Sequence, residues 1–355
     1  MTDLAARREI ALLRLVAQGV AGSQRLSPER AVQRLVCLQA QDYWSGLASV
    51  ALRSATGIAA VEAALNAGAV VRGWPLRGTL HLVAASDLGW LRELLAGREL
   101  AAAAGREARL GIDAPLLGRA ERIAVDTLSS QGPSTRAQVT AAWQAGGIDT
   151  GGQRGYHLIW HLSLAGIVLF GPARNGQQLL ALAGQQASAP AGFTRAGALE
   201  DLARRYFAGH GPATPADLAR WANLTAADTR LAVAAARPHL AAITSEDGTE
   251  YLLGPGTQDE LASCREEAED VIALPGFDEM IFGYRDRTPT LPDDRAARVF
   301  PHRNGIPSCT VIVGGQVAAT WRPAKRPGED MEIAALTPLT EQVTRTAMAR
   351  AAALA

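Results

Sequence analysis

Gly132-Pro133-Ser134-Thr135-Arg136-Ala137-Gln138-Val139 recurs later in the chain as Gly211-Pro212-Ala213-Thr214-Pro215-Ala216-Asp217-Leu218, matching at Gly, Pro, Thr, Ala and the final apolar position. Each copy reads as a capped helix start that runs into a tryptophan, Trp143 or Trp221. After the first copy come a helix through Tyr156, Leu158, Ile159, Leu162 and Leu164, a strand from Ile167 to Phe170, a Gly-Pro-Ala-Arg-Asn-Gly turn, and a strand from Gln177 to Ala181. After the second come a helix from Thr225 to Ala236, a strand from Leu240 to Thr244, a Glu-Asp-Gly turn, and Tyr251 to Leu253. Helix, turn, helix, hairpin is the plan of a winged helix.

Working outward, Ser27 to Val83 fits the same plan with a longer wing. Thr2 to Gly19 reads as a preceding helix. Ser27 caps a second helix, Pro28 suits its first position, and Ala31, Val32, Leu35 and Val36 recur at helical spacing. Leu47 to Ser54 alternates weakly, and Ile58 to Asn66 predicts a short helix. Val70 to Val83 is β-branched, Gly-broken and Pro-marked, which predicts a hairpin, with Ser86-Asp87 capping the next helix. In the last third, Gly314-Gly315 between Cys309–Val313 and Gln316–Trp321 is a hairpin signal, Met331 to Leu336 a further strand, and Thr337-Pro338 the start of a terminal helix. The expected fold is α+β: three tandem winged-helix units at 1–110, 111–190 and 191–258, and a small C-terminal β-rich domain at 259–355.

Composition narrows the class. A chain of 355 residues, 48% hydrophobic and 20% charged, belongs with soluble globular proteins. Cys37, Cys264 and Cys309 are scattered, so neither a disulfide framework nor a metal site is expected. Charges precede the short apolar run near the N-terminus, against a signal peptide or membrane span, so a cytoplasmic, nucleoid-associated place is expected. The net charge is zero and the bases are 34 Arg and one Lys, Lys325, so a polyanion must be gripped by local clusters and not by a global field. Candidates are Arg72 and Arg77 in the first wing and Arg285, Arg287 and Arg303 in the last domain, on Gly/Pro-rich turns beside strands.

The chemistry-bearing stretch is Leu38-Gln39-Ala40-Gln41-Asp42. Residues i and i+2 share a face on an extended backbone and not on a helix, so both glutamines serve one site only if the helix ends near Leu38. The plain alternative is a pair of solvated glutamines at a helix end. Alternation turns Asp42 away from both, which suits a structural role such as capping or pairing with an arginine. His81, between Leu80 and Leu82, is either a site residue or a core histidine with a satisfied backbone bond. His157 and His161 have the i, i+4 spacing that metals use, without a third ligand in the sequence pattern.

Leu38-Gln39-Ala40-Gln41-Asp42, Arg77-Gly78-Thr79-Leu80-His81, Gly211-Pro212-Ala213-Thr214-Pro215, Leu274-Pro275-Gly276-Phe277-Asp278-Glu279 and Gly283-Tyr284-Arg285-Asp286-Arg287 together resemble the AlkZ-type winged-helix DNA glycosylases. The resemblance spans nearly the whole chain in matching order. It implies a monofunctional bacterial base-excision-repair enzyme that removes bulky N-alkylated purines and unhooks interstrand crosslinks, with winged helices wrapped in a C around duplex DNA. Gln39 and Gln41 match that family's Gln-apolar-Gln motif, the branch associated with self-resistance to DNA-alkylating antibiotics such as azinomycin, whereas Gln-apolar-Asp members look like broader alkylpurine glycosylases. Asp42, Thr79 and His81 take supporting places. The implied partner is double-stranded DNA with alkylated purines, bound by a monomer with no cofactor, metal or membrane. An N7-alkylguanine is a cationic leaving group, so the remaining work is to hold a water at C1′ and tolerate an oxocarbenium-like sugar, which neutral amides can do. A non-catalytic winged-helix DNA-binding regulator is the alternative on sequence grounds.

Overall fold

The structure is a computed structural model that describes residues 3–22, 26–54, 56–174, 176–302, 305–323 and 331–354. From the N-terminus run α1 (Asp3–Ala17), α2 (Pro28–Arg34), β1 (Cys37–Gln39), α3 (Tyr43–Ser54) and α4 (Ile58–Asn66). Next come β2 (Val70–Leu76), β3 (Thr79–Ala84), α5 (Ala85–Arg109), α6 (Ala114–Gln131), α7 (Arg136–Ala145), α8 (Arg154–Leu164), β4 (Val168–Arg174) and β5 (Gln177–Leu182). The chain continues through α9 (Arg195–His210), α10 (Pro215–Ala222), α11 (Ala226–Ala236), β6 (Ala241–Thr244), β7 (Glu250–Leu253) and α12 (Thr257–Glu269). It closes with β8 (Val271–Leu274), α13 (Glu279–Phe282), α14 (Asp293–Val299), β9 (Cys309–Val313), β10 (Gln316–Arg322), β11 (Glu332–Ala335) and α15 (Glu341–Leu354). By compactness these elements form two units, Met1–Val61 with Leu199–Ala355, and Glu62–Ala198.

The two repeated stretches fold alike for identifiable reasons. Thr135 and Thr214 are N-caps, each accepting from the backbone N–H three residues on, while Gln138 and Asp217 reach back to the cap's own N–H at 2.8 Å, closing two capping boxes. Just before each cap, Ser134 pairs with Leu180 and Ala213 with Leu252, so each repeat ties its first helix to the second strand of its own hairpin. Trp143 and Trp221 are wholly buried.

The unit of residues 62–198 holds the hydrogen-bonded run β3-β2-β4-β5. Its core joins Trp74 and Leu80 of the long hairpin to Trp143, Leu158, Leu162 and Leu180. Arg77 and Gly78, with φ of 53° and 61°, make a two-residue turn of the type that suits strand twist.

In the other unit, β11-β10-β9-β8 form an antiparallel sheet whose Gly314-Gly315 turn has φ of 57° and 83°. Leu12, Leu15 and Val16 of α1 and Leu261 of α12 pack on Ile272, Ile312 and Val317, while α15 covers Val271, Ala273, Val311 and Trp321. Alternation along β8 thus feeds two cores. The last third of the chain therefore shares its hydrophobic core with the first helix.

Three local expectations change. Residues 47–54 belong to helix α3, and the weak alternation has a cause: from Ser45 to Ser54 this helix is buried on nearly every side, which erases periodicity. Ser86-Asp87 is not the cap of α5, which starts at Ala85; Asp87 sits in its first turn and accepts from the Trp90 indole N–H at 2.9 Å. The terminal helix is capped by Thr340, which accepts from Val343 N–H at 3.2 Å, three residues beyond the expected Thr337.

Candidate active site

The helix α2 gives way to β1 through Val36, a β-branched residue held at φ 68°, where only glycine is comfortable. That turn converts the chain to extended backbone in time for Gln39. Gln39 ends the strand and is 6% exposed, Ala40 is wholly buried, and Gln41 and Asp42 stand exposed at the bend that follows. Asp42 accepts from Ser45 N–H at 2.8 Å and so caps α3. Its carboxylate is thereby committed to the N-terminal turn of that helix.

A second segment braces this corner. Phe277, also at positive φ (59°), precedes two successive acids that face different elements. Asp278 forms a bidentate pair with Arg53 at 2.8 Å on each arm, accepts from Ser49 Oγ at 2.7 Å, and caps α13 through Met280 N–H at 2.9 Å. Both partners of the ion pair are buried, 1% and 0% exposed at the side chain. Removing one partner of such a pair costs about 3–5 kcal/mol.

Glu279 points the other way. It is wholly buried; Oε1 accepts from the Gln39 backbone N–H at 3.0 Å, and Oε2 accepts from Trp221 Nε1–H at 3.0 Å and faces His210 Nε2 at 3.4 Å. Tyr206 stacks on His210 with centroids 4.6 Å apart, and Trp221 and Tyr284 complete an aromatic surround. Burial holds the His210 imidazole below its ordinary pKa, against the opposing pull of Glu279. The same burial raises the Tyr284 phenol, whose hydroxyl donates to the His210 carbonyl at 2.8 Å.

The remaining sequence candidates fall into both units. Arg77 lies at the hairpin tip and donates to His81 Nε2 at 3.4 Å, while Thr79 Oγ1 donates to the Leu76 carbonyl at 3.4 Å. His81 is wholly buried and its Nδ1 meets the Thr79 carbonyl at 2.8 Å, the core placement with a satisfied backbone bond. Arg72 departs from the phosphate-contact expectation: it is buried, donates to Gln178 Oε1 at 2.7 Å and lies over the Phe170 ring at 5.4 Å. The cause is register, since Arg72 pairs with Phe170 across β2 and β4 and is drawn in by that face.

Arg285 is exposed, and its backbone is fixed by Asp217, which accepts from Arg285 N–H at 2.8 Å and Asp286 N–H at 3.1 Å. Arg287 is half-buried beside Phe282 and Phe300. Arg303 lies outside the described residues. His157 and His161 both face Glu107, at 3.3 and 2.8 Å, and no metal-holding group of three or more His, Cys, Asp or Glu occurs among the described residues. Asp278 and Glu279 carry no expected role in the sequence beyond their place in the family-like stretch Leu274–Glu279. The available signal was two adjacent carboxylates inside an otherwise apolar run from Val271 to Ile281.

The class of the protein follows from comparison with known families and structures. Residues 32–355 match the AlkZ-like DNA glycosylase family, so the chain belongs to that family and is a DNA glycosylase. Its fold is that of the Streptomyces sahachiroi DNA glycosylase AlkZ, with a TM-score of 0.80 at 20% identity over 98% of this chain and 96% of that one. No curated protein matches by sequence. Among the described residues, no single helix is long and apolar enough to cross a membrane.

Proposed function

We propose that this DNA glycosylase hydrolyses the N-glycosidic bond of bulky N7-alkylguanine and related N-alkylpurines, unhooks crosslinks built on such lesions, and serves in self-resistance to a DNA-alkylating natural product. One observation carries the reading: two amides flank an alanine at the end of a strand, and the adjacent carboxylate, Asp42, is occupied as a helix cap. A site equipped with amides in place of a free acid suits a substrate whose leaving group is already cationic. Gln39 and Gln41 then hold and orient the water and the sugar, each offering an acceptor oxygen and two donors.

Three winged-helix modules carry the duplex in this reading. The two capped repeats, each bridged to its own hairpin, support it. Arg77 at a hairpin tip and Arg285 on a fixed, exposed loop are its phosphate contacts, with Arg287 two residues beyond Arg285; the enzyme acts as a monomer. Excess enzyme incubated with a duplex bearing one N7-alkylguanine should release the base and leave an alkali-labile site. An intact strand after alkali, with the bulky lesion and the simple methyl lesion alike, overturns the proposal.

A further inference from the structure

We infer that Glu279 is the positioning residue of the Gln39-Ala40-Gln41 strand, acting through the backbone N–H of Gln39; the inference rests on the assignment of these glutamines to base release. Burying a carboxylate this fully carries a desolvation cost that a well-packed apolar side chain would avoid. What the carboxylate gains is convergence: one oxygen takes the Gln39 N–H, the other takes Trp221 Nε1–H and meets His210. Of these three contacts, only the first belongs to the motif. The neighbouring Asp278 ties the same segment to α3 through Ser49 and Arg53, so residues 39–42 are bracketed from both ends. A strand end held this way presents the Gln39 and Gln41 side chains in one geometry, which is what a site that works by orientation requires.

The test uses full-length protein and reads two quantities: single-turnover base release at saturating enzyme, and hydrogen exchange at the Gln39 amide. Glu279→Gln keeps shape but must aim its NH₂ at one of two obligate donors, Gln39 N–H or Trp221 Nε1–H. We expect base release to fall ~10-fold or more with duplex Kd unchanged, and Gln39 exchange to quicken by a similar factor. Adding Trp221→Phe to Glu279→Gln removes one of those donors. The amide oxygen can then turn to Gln39 while its NH₂ meets His210 Nε2 in the other tautomer, and both readouts should recover. A residue that only fills space predicts the opposite, because a second core change compounds the first.

Wild-type base release and exchange in Glu279→Gln, or a double variant slower than the single, overturns the inference. Glu279→Asp, which keeps the charge but withdraws it by one methylene, covers the case in which Glu279→Gln does not fold; it should slow release and quicken Gln39 exchange, and unchanged values in it overturn the inference equally. If the wild-type enzyme releases no base, the glutamine assignment fails, while Gln39 exchange still decides the contact.

Discussion

The repeat around Trp143 and the repeat around Trp221 begin with the same capping chemistry and the same bridge to a hairpin, yet their tryptophans end in different company. Trp143 donates to the Ala120 carbonyl of α6 at 2.8 Å, closing a core made of its own neighbourhood. Trp221 donates to the buried Glu279, whose other oxygen holds Gln39. The capping boxes diverge likewise. Gln138 serves the cap with its amide oxygen, whereas Asp217 serves the cap with one oxygen and the Arg285 loop with the other. The first module closes on neutral partners of its own, while the second meets a carboxylate at two points, its own Asp217 and the Glu279 that also holds Gln39.

The largest effect tests whether there is a site to couple to. Gln39→Ala and Gln41→Ala should each slow base release by ~10²-fold or more with the fold retained, since an oriented polar contact in the transition state is lost. Single-turnover excision measures it, and wild-type rates in both variants would leave the second repeat no more specialised than the first. The paired tryptophans come next. Trp221→Phe, which takes a donor from the Glu279 carboxylate, should slow base release several-fold, whereas Trp143→Phe should leave the rate alone and cost about 1–2 kcal/mol in urea unfolding. Equal behaviour of the two variants in the rate assay would erase the distinction.

Smaller again are the cationic contacts. Arg77→Ala and Arg285→Ala should weaken binding to all duplexes alike and reduce the salt slope by about one unit each, read from Kd between low and moderate salt. Loss confined to one sequence would point to base readout instead. The smallest effect is a pH dependence that both repeats carry, since burial lowers the pKa of His157 and of His210. Each binds its proton more readily unfolded, so the stability it confers is complete above the unfolded value of about 6.5 and is lost as the pH falls toward the folded one. His210→Gln and His157→Gln should each flatten the decline of unfolding free energy on the acid side of pH 6.5; a decline unchanged in both variants would assign it to the carboxylates.

The repeats, hairpins and the Ser27 cap were legible in the sequence because caps and two-residue turns are local devices: Thr135, Thr214 and Gly314-Gly315 act on residues within a few positions of themselves. Gln39 and Gln41 became candidates only with the family pattern beside them, and their roles stand as a proposal. Glu279 was not, since its role is defined by a partner 240 residues away. Helix α3 escaped because burial on nearly all sides removes the stripe that reveals an amphipathic helix. Arg72 escaped because a charge on a turn-rich strand reads the same whether it faces solvent or Phe170.

The contact between Gln39 and Glu279 also has a consequence for the order in which the enzyme becomes an enzyme. A ribosome makes the glutamine strand early and its carboxylate brace only after the whole of residues 62–198 has been threaded out. At roughly 5–20 residues per second, that interval lasts on the order of ten seconds or more. Throughout it the Gln39 amide is without this partner, and the apolar face of α1 is without the sheet it will share a core with. A nascent or prematurely ended chain that stops short of residue 279 thus carries both glutamines without this contact, and under the proposed assignment competence for base excision arrives late, with the arrival of a single buried acid.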